Sequence, residues 1–169
     1  MEIGRLRFGP GLRQPDQRSC GPSCLVVARM LVQPEYAVSA APRFADEVLA
    51  THRRVTGASP AAGALQLPWP RDLGTPPWAV ARELTRVTGK TYRWPVVRWR
   101  GETVQDRLVA GLAAGAPVAL YVGSTWLPRH VLLAVRVGDD GEPELYDPAR
   151  GRLVRRSARW PVPWFVVAP

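Results

Sequence analysis

A polar loop, Gln14-Pro15-Asp16-Gln17-Arg18-Ser19-Cys20-Gly21-Pro22-Ser23-Cys24, leads without a break into the apolar segment Leu25 to Val32. Helix propensity is high through this segment. Pro22 suits the first turn of a helix, because the N–H that proline lacks has no intrahelical partner there. We therefore expect a helix from about Cys20 to Val32, which ends before Pro34 because the residue preceding a proline disfavours helix.

Cys20 lies at or next to the N-cap of this expected helix. Unpaired backbone N–H groups and the positive end of the helix dipole meet there, and both favour thiolate over thiol. A thiolate is the nucleophilic form of cysteine, so the position suits covalent catalysis. The alternative is a small buried apolar residue, which is the usual fate of a free cysteine. Cys24, one turn further on, continues the apolar stripe of Val27 and Leu31 and is assigned to the core.

The chain contains only two cysteines and two histidines, which limits what it offers to a metal ion. Zinc usually takes four ligands, and two cysteines within one helical turn do not build a disulfide framework. We therefore expect no metal and no cofactor.

Length and composition predict one compact domain over residues 1–169. The chain has 169 residues, of which 46% are hydrophobic, enough to fill a sizeable core. Residues 1–10 lack the apolar run of a signal peptide, and no later window approaches a transmembrane span. We expect a soluble cytoplasmic protein, or one delivered or secreted by a route that needs no signal peptide, and we expect no membrane partner.

The formal net charge of +9 raises the question of nucleic-acid binding. Lys90 is the only lysine, and the arginines are scattered along the chain apart from a group between Arg150 and Arg159. With abundant Ala, Gly and Pro, this pattern is typical of a GC-rich genome. The composition therefore disfavours a nucleic-acid partner despite the basic pI.

Hydrophobic periodicity predicts helices first and strands afterwards, which is an α+β fold with a helical half over about 12–115 and a β half over about 116–169. His52, near the end of the second helix, is expected to be a solvated surface residue. Residues 57–77 are expected to form a long loop that lines a substrate cleft. After the first helix, the expected elements are helices at 41–56, 77–88 and 102–114, and strands at 91–99, 117–122, 130–137, 144–146 and 160–168.

A nucleophilic cysteine needs a base, and the base needs a third group that holds its tautomer. His130 opens an apolar strand, and Asp147 closes the next one after the hairpin turn at residues 139–141. Two antiparallel strands joined by a short turn bring the first residue of one close to the last residue of the other. We therefore expect the Asp147 carboxylate to reach the His130 ring, and the tip of the first helix to bring Cys20 to the other ring nitrogen.

Gln14 is a candidate for the oxyanion hole. A side-chain amide together with the backbone N–H of Cys20 can stabilise the negative oxygen that forms during attack on a carbonyl. Gln17 is a second candidate for the same role.

These residues occur in an order that resembles the papain-like cysteine peptidase superfamily. The closest branch is that of the bacterial double-glycine leader peptidases, which process bacteriocins, and we expect a stand-alone member without an exporter or ATPase segment. The resemblance covers about a third of the chain. It rests on Gln14 six positions before Cys20-Gly21, on the His130 strand, and on the segment Leu145-Tyr146-Asp147-Pro148-Ala149-Arg150-Gly151.

The resemblance implies a helical half with the nucleophile Cys20 and a β half with the general base and acid His130 and its orienting group Asp147. Gln14 is then the oxyanion donor, and a protein or peptide substrate lies in the cleft between the halves. The family more often has a small residue where this chain has Arg129. Residues expected to contact substrate are Gly21, Trp69, Trp126 and Arg129.

The first expectation is a thiol hydrolase that cleaves peptide or isopeptide bonds. The same machinery acting on glutamine side chains would make a deamidase, or a transglutaminase-like transferase in an effector or toxin. A non-catalytic protein-binding module on a papain-like scaffold is the alternative of another class.

Overall fold

A computed structural model of the protein describes residues 6–57, 68–98, 101–155 and 161–169. Within these ranges five α-helices precede five β-strands, so the α+β prediction is confirmed. The helices are α1 (Cys20–Val32), α2 (Pro34–Ala40), α3 (Phe44–Thr56), α4 (Pro77–Thr88) and α5 (Gly101–Ala113). The strands are β1 (Val118–Gly123), β2 (Pro128–Val137), β3 (Pro143–Asp147), β4 (Arg152–Arg155) and β5 (Val162–Val167).

Helix α1 lies in the centre of the helical layer, and its bounds match the prediction. Every residue in it except Arg29 and Val32 is buried. A helix that is apolar around its whole circumference belongs in the interior. It packs against α3 and α4 on one side and against β2 on the other, so the end that carries Cys20 is held against the sheet.

The strands form one antiparallel sheet in the order β4-β3-β2-β1-β5. Alternate residues of β1 and β2 contribute to two separate cores, because successive side chains of a strand point to opposite faces. Ala119, Tyr121 and Leu133 pack with α1, whereas Leu120 and Leu132 pack with α5. Helix α5 therefore covers the face of the sheet opposite α1, and the helices of the expected helical half lie on both faces of the sheet.

The described chain differs from the expected elements in several places. Helix α2 and strand β4 were not expected, and a short 3-10 turn, Ala41–Arg43, precedes α3. The strand expected at 91–99 is reduced to two isolated bridges, Arg93 with Ala168 and Val96 with Phe165, because Pro95 interrupts the ladder. Residues 58–67, about half of the loop expected at 57–77, lie outside the described residues, as do residues 99 and 160 at the ends of two expected strands.

His52 is buried, at 4% exposure, so the prediction of a solvated surface histidine is wrong. The residue follows Val48 by four positions and precedes Val55 by three, which places it on the buried face of α3. It hydrogen-bonds to the backbone of Gly74, and burial lowers its pKa below the usual value. His52 is therefore a packing residue that ties α3 to the turn before α4.

None of the described helices is both long enough and apolar enough to cross a membrane.

Candidate active site

Cys20 is the first residue of α1, directly after the N-cap residue Ser19. The Ser19 hydroxyl does not cap the helix. It donates to the carbonyl oxygen of Asp16 at 3.3 Å and accepts from the Asp16 N–H at 3.4 Å, which stabilises the preceding turn. The N–H groups of the first helical turn have no intrahelical partner, and the positive end of the helix dipole lies beside a Cys20 side chain that is 7% exposed.

His130 and Asp147 approach each other because of the register between β2 and β3. Leu133 is paired with Tyr146, so Asp147 falls opposite Leu132, two positions from His130. Side chains two positions apart along a strand share a face, and such diagonal pairs are within reach of long side chains. The Nε2–H of His130 donates to Oδ1 of Asp147 at 2.8 Å.

Asp147 is nearly inaccessible, with its side chain 4% exposed, yet it is well provided with donors. The backbone N–H of Ala149 donates to Oδ1 at 3.0 Å, and Nη1 of Arg150 donates to Oδ2 at 2.6 Å. Burial alone would raise the pKa of the Asp147 carboxyl, but the hydrogen bonds from His130 and Arg150 and the charge of His130 lower it to about 2. Asp147 is therefore a carboxylate at any physiological pH.

His130 lies between this carboxylate and Cys20, whose side chain is close enough to act on the histidine's pKa. Nε2 is already engaged by Asp147, so Nδ1 is the ring nitrogen that is left for an interaction with Cys20. Burial would lower the pKa of His130, but hydrogen bonds to Asp147 and Cys20 and the negative charges of both partners raise it to about 9. The ring is thus an imidazolium at neutral pH, held between a sulfur and a carboxylate.

Gln14 is tied to the same end of the sheet through its backbone, since its N–H donates to the carbonyl oxygen of Pro148 at 2.9 Å. The phenol of Tyr146 also donates to the Leu12 carbonyl oxygen, which docks the N-terminal segment onto β3. The Gln14 side chain donates one N–H from Nε2 to the Asp16 carbonyl oxygen at 2.6 Å. One amide hydrogen of Gln14 is therefore committed to the loop.

Gly151 allows this docking. Its φ of 67° lies in the left-handed region, which glycine adopts at little cost, and a Cβ at this position would approach the backbone N–H of Arg13 to 3.0 Å and collide with the Gly9 carbonyl. The chain at Gly151 can therefore turn tightly beneath the segment that carries Gln14.

Cys24 has no exposed surface, and its Sγ donates to the carbonyl oxygen of Val131 at 3.5 Å. Burial raises its pKa well above the usual value, and the charges of Cys20 and Asp147 act in the same direction. The assignment of Cys24 to the core is confirmed, and both cysteines are free thiols.

The four residues expected to contact substrate lie in different surroundings. Trp126 is 82% exposed in the loop between β1 and β2, and the exposed Arg129 precedes His130 directly, so both lie at the histidine end of the sheet. Trp69 packs edge-on against Trp78, with ring centroids 5.1 Å apart, which ties it to α4. Gly21 is buried at the start of α1.

Three residues near the site, Thr75, Tyr121 and Arg150, were not assigned a role by sequence analysis. A Cβ on Gly21 would lie 2.8 Å from Cβ of Thr75, so glycine is needed for the loop before α4 to pack against the start of α1. The phenol of Tyr121 holds this loop by donating to the Thr75 carbonyl oxygen at 2.7 Å. No local sequence pattern predicts the contacts of Thr75 with Gly21 and Tyr121, which are far from it in the chain. Arg150, in contrast, follows Asp147 by three positions in a turn, and this spacing is a usable signal.

Among the described residues, no group of three or more His, Cys, Asp or Glu side chains is arranged to hold a metal ion. The chemistry available at the tip of α1 is that of a thiol, an imidazole and a carboxylate. In comparisons with known proteins, no family model matches the chain and no curated protein is found to be similar to it.

Proposed function

We propose that this protein is a thiol hydrolase that cleaves peptide or isopeptide bonds with Cys20 as nucleophile. One observation carries the proposal: the His130 ring hydrogen-bonds to the Asp147 carboxylate at 2.8 Å and lies close enough to the Cys20 side chain for that side chain to raise the histidine's pKa. The three residues come from α1, β2 and β3, and general core packing does not require an ionised carboxylate behind a half-buried imidazolium. The resemblance of the Gln14, Cys20, His130 and Asp147 pattern to papain-like peptidases supports the same function.

In the proposed reaction the Cys20 thiolate attacks the substrate carbonyl, and a C–S bond forms. The oxygen becomes negative and accepts hydrogen bonds from the Cys20 backbone N–H and from the remaining Gln14 amide hydrogen. The C–N bond then breaks as the His130 imidazolium transfers its Nδ1 proton to the leaving nitrogen, which leaves a thioester and a neutral imidazole.

Water completes the cycle. Neutral His130 accepts a proton from water at Nδ1 while the oxygen attacks the thioester carbonyl, the C–S bond breaks, and the acid product leaves. The thiolate and the imidazolium are restored. Throughout this cycle Asp147 accepts the Nε2–H, which keeps Nδ1 as the nitrogen that exchanges protons.

Selective alkylation tests the nucleophile. Iodoacetamide at mildly acidic pH should label Cys20 stoichiometrically and leave Cys24 unlabelled, because only Cys20 has an imidazolium partner. The variant His130→Gln should lose this preference, whereas His52→Gln, which removes the other histidine, should keep it. Equal labelling of Cys20 in the wild type and in His130→Gln would refute the proposed pair and favour a non-catalytic binding module.

The reaction type is tested by mass spectrometry of a cell lysate incubated with the protein, with Cys20→Ala as the control. New peptide termini that depend on Cys20 are expected for the hydrolase. A gain of a single mass unit at glutamine residues without new termini would instead show that the protein is a deamidase and does not cleave the peptide chain.

A further inference from the structure

We propose that Arg150 is a positioning residue that holds the Asp147 carboxylate in place and ionised while His130 is neutral during the reaction. This inference rests on the proposed function and assigns a role to a side chain that lies in the segment resembling papain-like peptidases but has no role in the expected catalytic set.

The geometry divides the two oxygens of Asp147 between different partners. Oδ1 accepts from His130 and from the Ala149 N–H, whereas Oδ2 accepts from Arg150 at 2.6 Å. The turn after β3 provides this arrangement, because the N–H groups of Arg150 and Gly151 both donate to the Asp147 carbonyl oxygen, at 3.1 and 2.8 Å. The guanidinium is thereby folded back over the carboxylate that precedes it by three residues.

Burial of the carboxylate distinguishes this ion pair from the exposed pair of Arg155 and Asp140. The Asp147 side chain is 4% exposed, whereas the Arg150 side chain is 61% exposed, so the cation stays hydrated while the anion is desolvated. A desolvated carboxylate favours its protonated form unless a cation or several donors compensate. By comparison, Arg155 and Asp140 form a pair in which both side chains are substantially exposed, and such pairs contribute little.

Charged and titratable groups face Asp147 from each neighbouring element. His130 approaches from β2, Cys20 and Cys24 belong to α1, Tyr146 precedes Asp147 in β3, and Arg152 is its backbone partner in β4. Among the described residues, His130 and Arg150 are the cations in hydrogen-bond contact with the carboxylate.

The ion pair of Arg150 and Asp147 becomes important after the thioester has formed. Once His130 has protonated the leaving group, it no longer carries charge, and Arg150 is then the cation that remains in contact with Asp147. An ionised Asp147 keeps the proton of neutral His130 on Nε2 and leaves the Nδ1 lone pair free to activate water. Arg150 should therefore contribute more to thioester hydrolysis than to thioester formation.

The experiment uses p-nitrophenyl acetate, an activated ester that acylates a reactive thiol without needing a protonated leaving group. The burst of nitrophenolate reports acylation of Cys20, and the later steady rate reports hydrolysis of the thioester. In Arg150→Gln we expect an unchanged burst amplitude and a steady rate lowered by about 10- to 100-fold, the range produced by a misplaced catalytic group. Arg150→Lys should recover part of the rate, and Arg155→Gln is the control with the same charge change.

A second readout does not depend on turnover. Carbon NMR of the Asp147 carboxyl should show its pKa raised by about one unit or more in Arg150→Gln, since an opposite charge within hydrogen-bond distance lowers a carboxyl pKa by about that amount. Wild-type values for the Asp147 pKa and for the ratio of burst to steady rate in Arg150→Gln would overturn the inference. A burst that persists in Cys20→Ala would instead refute the proposed function, and the Asp147 titration would still decide whether Arg150 holds the carboxylate.

Discussion

Replacing Asp147 by asparagine should remove the charge that keeps His130 protonated, with little change in side-chain volume. The pKa of His130 is raised from the ordinary 6.5 to about 9, which corresponds to about 3 kcal/mol. Burial acts in the opposite direction, so the hydrogen bonds and charges of Asp147 and Cys20 together exceed this shift. If Asp147 supplies a little over half, the pKa in Asp147→Asn falls to about 7.5 or below.

The consequence at pH about 8 is large. With a pKa of about 9 roughly nine-tenths of His130 is imidazolium, and with a pKa of about 7.5 only about a quarter is. Proton NMR of the ring Cε1–H measures this directly, and His52 provides an internal reference in the same spectrum. The rate of Cys20 alkylation at the same pH of about 8 should fall in parallel, because fewer thiolate and imidazolium pairs are present.

The same substitution should also change how the free energy of unfolding depends on pH. The depressed pKa of Asp147 contributes stability above about 3.8, which is lost as pH falls through about 2. The raised pKa of His130 contributes stability below 6.5, which is lost as pH rises through about 9. The difference in unfolding free energy between the wild type and Asp147→Asn should therefore be largest between about pH 4 and 6.5, as measured by urea denaturation.

Asp140→Asn is the matched control, because Asp140 pairs with Arg155 in an exposed ion pair on the same sheet. It should leave both the His130 titration and the alkylation rate unchanged. A His130 pKa in Asp147→Asn within about 0.3 units of the wild-type value would refute the reasoning, since such a small change lies within ordinary environmental variation.

Three further substitutions separate the other parts of the site. Gln14→Ala should lower turnover by about 100- to 1,000-fold while Cys20 alkylation continues, as expected for loss of an oxyanion donor, and an equal loss of alkylation would count against that role. Gly21→Ala should destabilise the fold by about 1–3 kcal/mol in denaturant titrations, because its methyl group meets Cβ and Oγ1 of Thr75, and the double variant with Thr75→Gly, which removes both atoms, should lose less stability than the two single variants together; additive effects would contradict this contact. Cys24→Ala should cost about 1 kcal/mol of stability and leave Cys20 alkylation intact, whereas loss of alkylation would show that Cys24 is more than core.

Local sequence pattern was sufficient to predict the bounds of the helices whose ends are marked by proline or glycine. Helices α1 and α4 have the expected bounds, since Pro22 and Pro77 suit a first turn while Pro34 and Gly89 mark where each helix stops. The short elements α2 and β4 were missed because few residues carry too little periodicity to stand out. In β4 the arginines at both ends also hide the strand pattern.

The candidate triad was predictable because the chain offers so few alternatives. A cysteine at a helix start and a histidine at a strand start are local features, and antiparallel pairing of two adjacent strands implies the approach of Asp147. The burial of His52 was not predicted, although its spacing from Val48 and Val55 puts it on the apolar face of α3, because a histidine beside arginines near a helix C-terminus is typical of a solvated position. The place of α5 on the opposite face of the sheet was not predicted either, since an amphipathic helix does not specify which surface it covers.

The linear chain thus dictates which residues begin each long helix and strand, because capping, proline geometry and apolar spacing act over a few neighbours. Tertiary packing decides which charges meet. The contact of His130 with Cys20 depends on how α1 docks on the sheet, and the contact of Thr75 with Gly21 joins residues 54 positions apart. The hydrogen bonds of Asp147 depend on strand register and on the way the following turn folds back, so the protonation state of the site is a property of the assembled fold.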